Sequence, residues 1–509
     1  MRVEQYDKGT NSMKNAVQIP RWWEAIVAIR KNCSLPLILA LLALPAMLFL
    51  GVAIGEFNPV YGLVVAGALV LMIIVLLRWD ELAVVLIIAV HLWIDWYLGL
   101  HIVGILMALV LLFACYVARS ADHPWVELRP LWLWILFLVL TIYPAINGGQ
   151  FRAYDAATFY PGIVLGAFLM FRLGNVIAKD ISALRRVFQL MSAVATLVAI
   201  HTIIETTTGV FLFASAREDI HLVTSANLIV YNTKALRAAS FFIDPNWNGC
   251  FLATMFFLPL GLLIESKSLL GKLVFLAEMT LILVALLFTY SIGSCVALLS
   301  GVVVFVFWVG SQRFRLLWIV MIALIALLVL KLFQSQLTNL LFHASGPNEV
   351  SMRTGAWETG IRVIEAYPLF GVGIGTQAYL MRANPYIVLA QIIPLEHPHN
   401  SYIQWGATAG IPVLVVFLLL LSYAFWYSWR NWRAIHNRYR PLLGGGITAL
   451  IALSINSISI DGWTNAMLAT VGWLIFGLLT SPLLRRYAHD TGQQEKQPLR
   501  ADERIETKV

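Results

Sequence analysis

Apolar stretches of about 20 residues follow one another along most of this chain. A helix of that length rises far enough to cross the hydrocarbon core of a bilayer. No water is present there, so every backbone N–H and C=O needs a partner within the protein, and a helix supplies one for each. The composition agrees with this reading. Of the 509 residues 60% are hydrophobic and 12% charged, where a soluble domain carries roughly 25% charged residues. A water-soluble chain of this size lacks the polar surface to cover so much apolar area. Composition therefore excludes a cytosolic enzyme, a secreted domain and a disordered chain, and leaves a polytopic membrane protein.

Fourteen runs read as spans, near 35–55, 59–78, 82–100, 101–118, 130–146, 157–172, 187–209, 245–264, 270–289, 292–310, 316–333, 405–428, 442–460 and 464–484. The tight junctions at Gly99 and Thr289 leave the count between 12 and 14. The expected fold is all-α: a polytopic transmembrane helical bundle with a large ordered external loop that contains short helices. Residues 1–34 form a cytoplasmic segment whose stretch RWWEAIVAIR (21–30) is expected to lie flat at the interface, without a cleavable signal peptide. Spans 1–11 occupy 35–333, the external loop 334–404, spans 12–14 405–484, and a polar, disordered cytoplasmic tail 485–509.

With the N-terminus inside, basic residues gather in the inner loops, as at Arg172, Lys179, Arg185 and Arg186 and again at Arg430, Arg433, Arg438 and Arg440. The longer outer loops carry fewer. This bias orients the chain with both termini in the cytoplasm. It also accounts for the net charge of +8, so nucleic acid is not an expected partner. The cysteines Cys33, Cys115, Cys250 and Cys295 occur singly, which predicts neither a disulfide framework nor a zinc site.

Two outer loops, 211–244 and 334–404, are too long to be mere connectors. In the second, Trp357, Ile361 and Ile364 recur at helical spacing within SMRTGAWETGIRVIEAYP. That helix should stop near Tyr367, because Pro368 disfavours helical geometry in the residue before it. GVGIG (371–375) then supplies a turn. The loop closes on EHPHNSYIQWGATAGIP (396–412), with His397 and His399 at the membrane boundary. A histidine there can act as acid or base near neutral pH, or sit as an ordinary loop residue; an H-x-H pair can also hold a metal, although no further ligand cluster accompanies it. The first loop ends in ALRAASFFIDPNWNG (235–249), where Asp244, Asn246 and Asn248 are candidate helix caps. Arg237 and Arg353 suit bidentate contact with phosphate oxygens, against the plainer reading of a headgroup contact.

Ionisable residues within spans are few. His91 and Asp95, and likewise His201 and Glu205, stand four apart on one helical face. Each pair reads either as a satisfied intramembrane hydrogen bond or as the lining of an outward-facing polar cavity. Glu278 lies mid-span and suggests no more than a helix–helix contact.

Arg237 followed by D-P-N, then R-x3-W from Arg353, P-L-F-G-V-G-I-G, H-P-H-N-S-Y-I-Q and G-I-P stand in that order between Arg237 and Pro412. This set resembles the bacterial O-antigen ligase and polymerase superfamily; the remaining chain resembles it only as a multi-span scaffold. The resemblance implies an enzyme of the bacterial cytoplasmic membrane with its active site facing outward. It would move a glycan from an undecaprenyl diphosphate carrier to a hydroxyl of a glycan or glycolipid acceptor, without metal or other cofactor. It assigns the essential histidine to His399 and the functional arginines to Arg237 and Arg353, with His397, Asn400, Glu396 and Asn246 as substrate-binding neighbours. The chain departs from the family pattern at TYSIGSC (289–295), where Ile292 replaces a common arginine. A transporter or flippase is the alternative, favoured by the span count and the buried His–acid pairs. Against it, the polar residues gather in outer loops and no inverted repeat is evident.

Overall fold

The computed structural model describes residues 80–90, 130–208, 237–242, 244–308, 349–388 and 397–484, with isolated positions between 320 and 334. All of them fall in one compact unit. The expected spans near 35–55, 59–78 and 101–118, most of those near 82–100 and 316–333, the segment 21–30, the pair His91 and Asp95, Glu396 and the tail from 485 lie outside the described residues.

Among the described residues every regular element is helical. In chain order the α-helices are α1 (Asp80–Val90), α2 (Leu131–Leu140), α3 (Ile142–Gly149), α4 (Ala153–Phe159), α5 (Gly166–Ile177), α6 (Ile181–Thr208), α7 (Pro245–Met255), α8 (Phe257–Glu265) and α9 (Leu269–Phe288). They continue with α10 (Ile292–Trp308), α11 (Glu349–Ala366), α12 (Thr376–Ala383), α13 (Ser401–Ala409), α14 (Ile411–Ala434), α15 (Arg440–Asn456) and α16 (Ala466–Thr480). Among the described residues six stretches are long and apolar enough to cross a membrane: Leu131–Gly149, Ala153–Ile177, Ile181–Thr208, Pro245–Glu265, Leu269–Phe288 and Ile411–Ala434. The protein is an all-α polytopic membrane protein.

Three spans differ from the sequence reading. One continuous span was expected from 405; instead α13 and α14 meet at Gly410, whose φ is +90°. Gly410 and Gly371 (φ +64°) allow the 367–371 turn and the α13–α14 break to press backbone on backbone: a Cβ on either would strike the other segment. The last two spans are shorter than expected, because 457–465 forms an irregular polar loop between α15 and α16. That loop proves central to the site.

Packing follows from small residues and aromatic rings. Helix α5 lies along α16, where Gly174 and Gly477 face each other with backbones nearly touching. Such close approach lets helices associate inside a membrane, where dispersion replaces the hydrophobic effect. The contact is locked by polar groups: Asn175 Nδ2 donates to Thr480 Oγ1 (2.9 Å), and Ser481 Oγ donates to the carbonyls of Asn175 (2.8 Å) and Ala178 (2.9 Å). Further along, Trp134, Trp463, Trp473, Phe417 and Trp405 form one aromatic core, with the Trp134 and Trp473 rings 4.8 Å apart. Glu278 accepts from Ser192 Oγ (2.5 Å), so the mid-span carboxyl is the α6–α9 contact the sequence indicated. Cys250 and Cys295 are buried free thiols.

The α5–α16 seam is testable. A Cβ at Gly477 would fall on the Phe171 carbonyl and 3.0 Å from Gly174 Cα. Gly477→Leu is expected to cost about 1–3 kcal/mol in overpacking, seen as a lower thermal unfolding midpoint in detergent. An unchanged midpoint would contradict the close seam.

Candidate active site

The site is built from three irregular backbone segments at the edge of the bundle. The first, 237–242, crosses from the α6 end to α7. Buried backbone amides here need partners, and a carboxylate supplies two. Glu205, fully buried near the end of α6, accepts from the backbone N–H groups of Ala239 (3.2 Å) and Ser240 (2.7 Å). This holds Ser240 at φ +54°, a conformation non-glycine residues seldom adopt. His201 completes the clamp: its Nδ1 lies 2.9 Å from Ser240 Oγ and its ring stacks on Phe241. Of the two readings for His201 and Glu205, the structure favours hydrogen bonding: both are buried and both bind the Ser240 segment. From the opposite side, Ala238 N donates to the Phe288 carbonyl (3.2 Å), and Asn248 Nδ2 donates to the Ala238 carbonyl and Thr202 Oγ1 (both 3.1 Å).

This clamp delivers Arg237. Its Nε donates to the Thr289 carbonyl (3.1 Å) and its terminal nitrogen to Asn246 Oδ1 (2.9 Å). Of the three candidate caps only Asp244 caps α7, its Oδ1 accepting from Asn246 N (2.7 Å). The same oxygen takes Asn246 Nδ2 (2.9 Å), which turns the amide oxygen toward Arg237. Asn246 is thus an orienting residue for the guanidinium.

The second segment is the 457–465 loop. It joins two sequence regions far apart. Arg353, on α11, donates to the Ser459 carbonyl (2.7 Å). Ser401 N, at the start of α13, donates to the carbonyls of Ser457 (2.9 Å) and Ile460 (3.2 Å). Ser401 Oγ in turn accepts from Trp463 N (2.9 Å). The Ser-Ile-Gly-Ser stretch that lacks the family arginine lies beside this loop: Asn456 Nδ2 donates to Ser294 Oγ (2.9 Å), and Gly293 abuts Ser459.

The third segment carries the histidines. His399 has φ +50°, strained for a non-glycine residue. Its backbone N–H donates to His397 Nδ1 (3.3 Å), and the two rings lie 4.3 Å apart. Asn400 caps α13, its Oδ1 accepting from Tyr402 N (3.0 Å) and Ile403 N (3.1 Å).

Electrostatics ties the segments together. Burial lowers the His399 pKa well below the ordinary histidine value, and the charges of His397 and Arg353 lower it further. Withdrawal from water pushes the Asp244 carboxyl up, while Arg237 and Arg353 oppose that shift and Asp461 adds to it. Arg353 therefore acts on both the histidine corner and the α7 entry. Arg237, held by Asn246, acts on Asp244 as well, so charge effects link both arginines to these segments, and an imidazole kept neutral at the histidine corner can accept a proton.

Sequence reasoning missed Asp461. It is 5% exposed, and its Oδ1 accepts from Trp247 Nε1 (2.6 Å). The available signal was the polar run SIDGWTN (459–465), which interrupts two apolar stretches. No group of three or more His, Cys, Asp or Glu suited to a metal occurs among the described residues.

Glu205→Ala would leave two buried amides unsatisfied, at about 1–3 kcal/mol each. Hydrogen exchange at residues 238–241 is expected to accelerate strongly, with Glu205→Gln intermediate. Unaltered exchange would show that the clamp does not hold the Arg237 segment.

Residues 278–418 match the family model described as O-antigen ligase. The matched region contains Arg353, His397 and His399, whereas Arg237 and Asn246 precede it. No curated protein matches the chain.

Proposed function

We propose that this chain, whose residues 278–418 match the O-antigen ligase family model, is a glycan-transferring membrane enzyme that moves a glycan from undecaprenyl diphosphate to an acceptor hydroxyl at the outer face of the cytoplasmic membrane. The observation that carries this reading is the shared 457–465 loop, which holds Arg353 through Ser459 and anchors the His399 corner through Ser401. This shared anchoring supports reading Arg353 as a phosphate contact and His399 as a base at one junction of the fold.

In the proposed reaction the acceptor oxygen attacks the anomeric carbon of the donor glycan. The bond between that carbon and the diphosphate oxygen breaks, and the acceptor proton passes to the His399 imidazole. Direct attack inverts the anomeric centre. Negative charge grows on the departing diphosphate, so Arg237 and Arg353 bind the transition state more tightly than the ground state, which is what accelerates a reaction. Asn246 and the Thr289 and Ser459 carbonyls accept from the guanidinium groups and orient them. No metal takes part in this scheme. The undecaprenyl tail remains in lipid, and the active site faces away from the cytoplasm, with both termini inside.

The test is transfer by the purified protein from a lipid-linked donor. His399→Ala is expected to lower kcat by about 10²–10⁴-fold, the usual contribution of a positioned base. Transfer at the unmodified rate would remove His399 from that role.

The pH profile has a definite sign. Only neutral His399 accepts a proton, and its pKa lies well below 6.5. The acid limb of kcat/KM, which reports the free enzyme, should therefore fall below the pH at which free histidine titrates. Removing a neighbouring positive charge makes protonation easier, so Arg353→Gln is expected to move that limb to higher pH. A limb that stays in place would contradict the Arg353–His399 coupling.

A further inference from the structure

Beside the histidine corner lies a cavity of ≈ 170 Å³ whose walls include Trp247, His397, Gln404, Trp405, Asp461 and Thr464. These residues come from the α7 entry, the third irregular segment, α13 and the 457–465 loop, so the cavity forms only when those pieces assemble. It is smaller than the roughly 300–1,000 Å³ of pockets for drug-sized ligands, which limits an occupant to about one ring.

Its chemistry is mixed in a particular way. Two indoles, those of Trp247 and Trp405, supply apolar surface to its wall. The polar groups are already set by neighbours and keep unused capacity. Asp461, 5% exposed, gives Oδ1 to Trp247 Nε1, and its Oδ2 has no hydrogen-bond partner among the described residues. Gln404 gives Oε1 to Thr464 Oγ1 (2.7 Å), and its Nε2 donor has no partner among them either. One acceptor and one donor thus line the same small space as the aromatic faces. An anion is disfavoured there by the Asp461 carboxylate. A purely apolar ligand would leave both polar groups unsatisfied, at a cost comparable to a lost hydrogen bond. A neutral ring bearing hydroxyl groups satisfies all three demands, since hydroxyls donate as well as accept and the C–H face of a sugar lies flat on an indole.

We propose that this cavity is a subsite for a single sugar ring, seated on Trp247 and hydrogen-bonded by Asp461 and Gln404, next to His397. The assignment rests on the glycan-transfer reading for its place in the reaction, and the ring can come from either the donor or the acceptor glycan. The diphosphate would be held elsewhere, at Arg237 and Arg353, so the two ligand parts are sorted by charge.

The test uses the full-length protein in lipid nanodiscs. Saturation-transfer NMR is recorded with methyl glucoside, methyl galactoside, methyl rhamnoside and methyl N-acetylglucosaminide, and undecaprenyl diphosphate binding is measured in parallel. At least one glycoside should receive saturation on its ring protons. Asp461→Asn and Gln404→Ala should each weaken it ~10-fold or more, with undecaprenyl diphosphate binding unchanged. In the transfer assay Gln404→Ala, whose side chain is only half-buried, should raise one KM: the acceptor's if the ring is the acceptor's, the donor's if it is the donor's. Undecaprenyl diphosphate binding with no response from any glycoside would overturn the sugar subsite and leave the transfer reading intact. A Gln404→Ala enzyme with both KM values unchanged would overturn it too. Failure of undecaprenyl diphosphate itself to bind would remove the transfer reading, and the subsite's place in the reaction with it.

Discussion

Irregular backbone at the edge of a membrane bundle must find every hydrogen-bond partner inside the protein, and in this chain that requirement builds the site. Helical stretches satisfy themselves. The 237–242 crossing and the 457–465 loop do not, and each is pinned by side chains or by another segment's amides. Glu205 binds the amides of Ala239 and Ser240, and the Ser457 and Ile460 carbonyls bind Ser401 N. The groups offered for chemistry hang directly on these pins. Arg237 precedes the Glu205-bound amides, Arg353 donates to the loop itself, and His399 stands two residues before Ser401.

Asn246 and the Thr289 and Ser459 carbonyls orient the two guanidinium groups, while backbone amides bind Glu205 and Asp244. Glu205, fully buried, works as an anchor. Asp244 caps a helix and turns Asn246. Arg353 reaches two places electrostatically, depressing the His399 pKa on one side and acting on Asp244 on the other. The positive φ values at Ser240 and His399 fall at the two ends of this arrangement. Strain of this kind persists only where the surroundings over-determine it.

Much of the architecture was legible in the sequence, because apolar length and Pro–Gly punctuation act locally. Helix α11 ends at Ala366, beside the Tyr367 limit set by Pro368, and Gly371, Gly373 and Gly375 all have positive φ as the GVGIG turn requires. The electrostatic link from Arg353 to His399 and to the Asp244 beside Arg237 joins segments that motif order sets only in sequence. What escaped was set by tertiary contacts. Asn400 and Asn246 are ordinary polar residues until one sees that the first caps α13 and the second turns to Arg237. Asp461 was hidden within a stretch read as two spans, since hydropathy averages over the polar residues between them. His201 and Glu205 carried an ambiguity no spacing rule resolves, because a buried acid anchoring backbone and one lining a cavity look identical in sequence.

The central claim is that two guanidinium groups and one imidazole serve a single lipid diphosphate. It is tested most directly by an experimental structure of the protein in nanodiscs with an undecaprenyl diphosphate sugar bound. The account expects diphosphate density within hydrogen-bonding reach of both Arg237 and Arg353, with the anomeric carbon on the His399 side. Diphosphate density away from those arginines, or bound at the opposite membrane face, would contradict it.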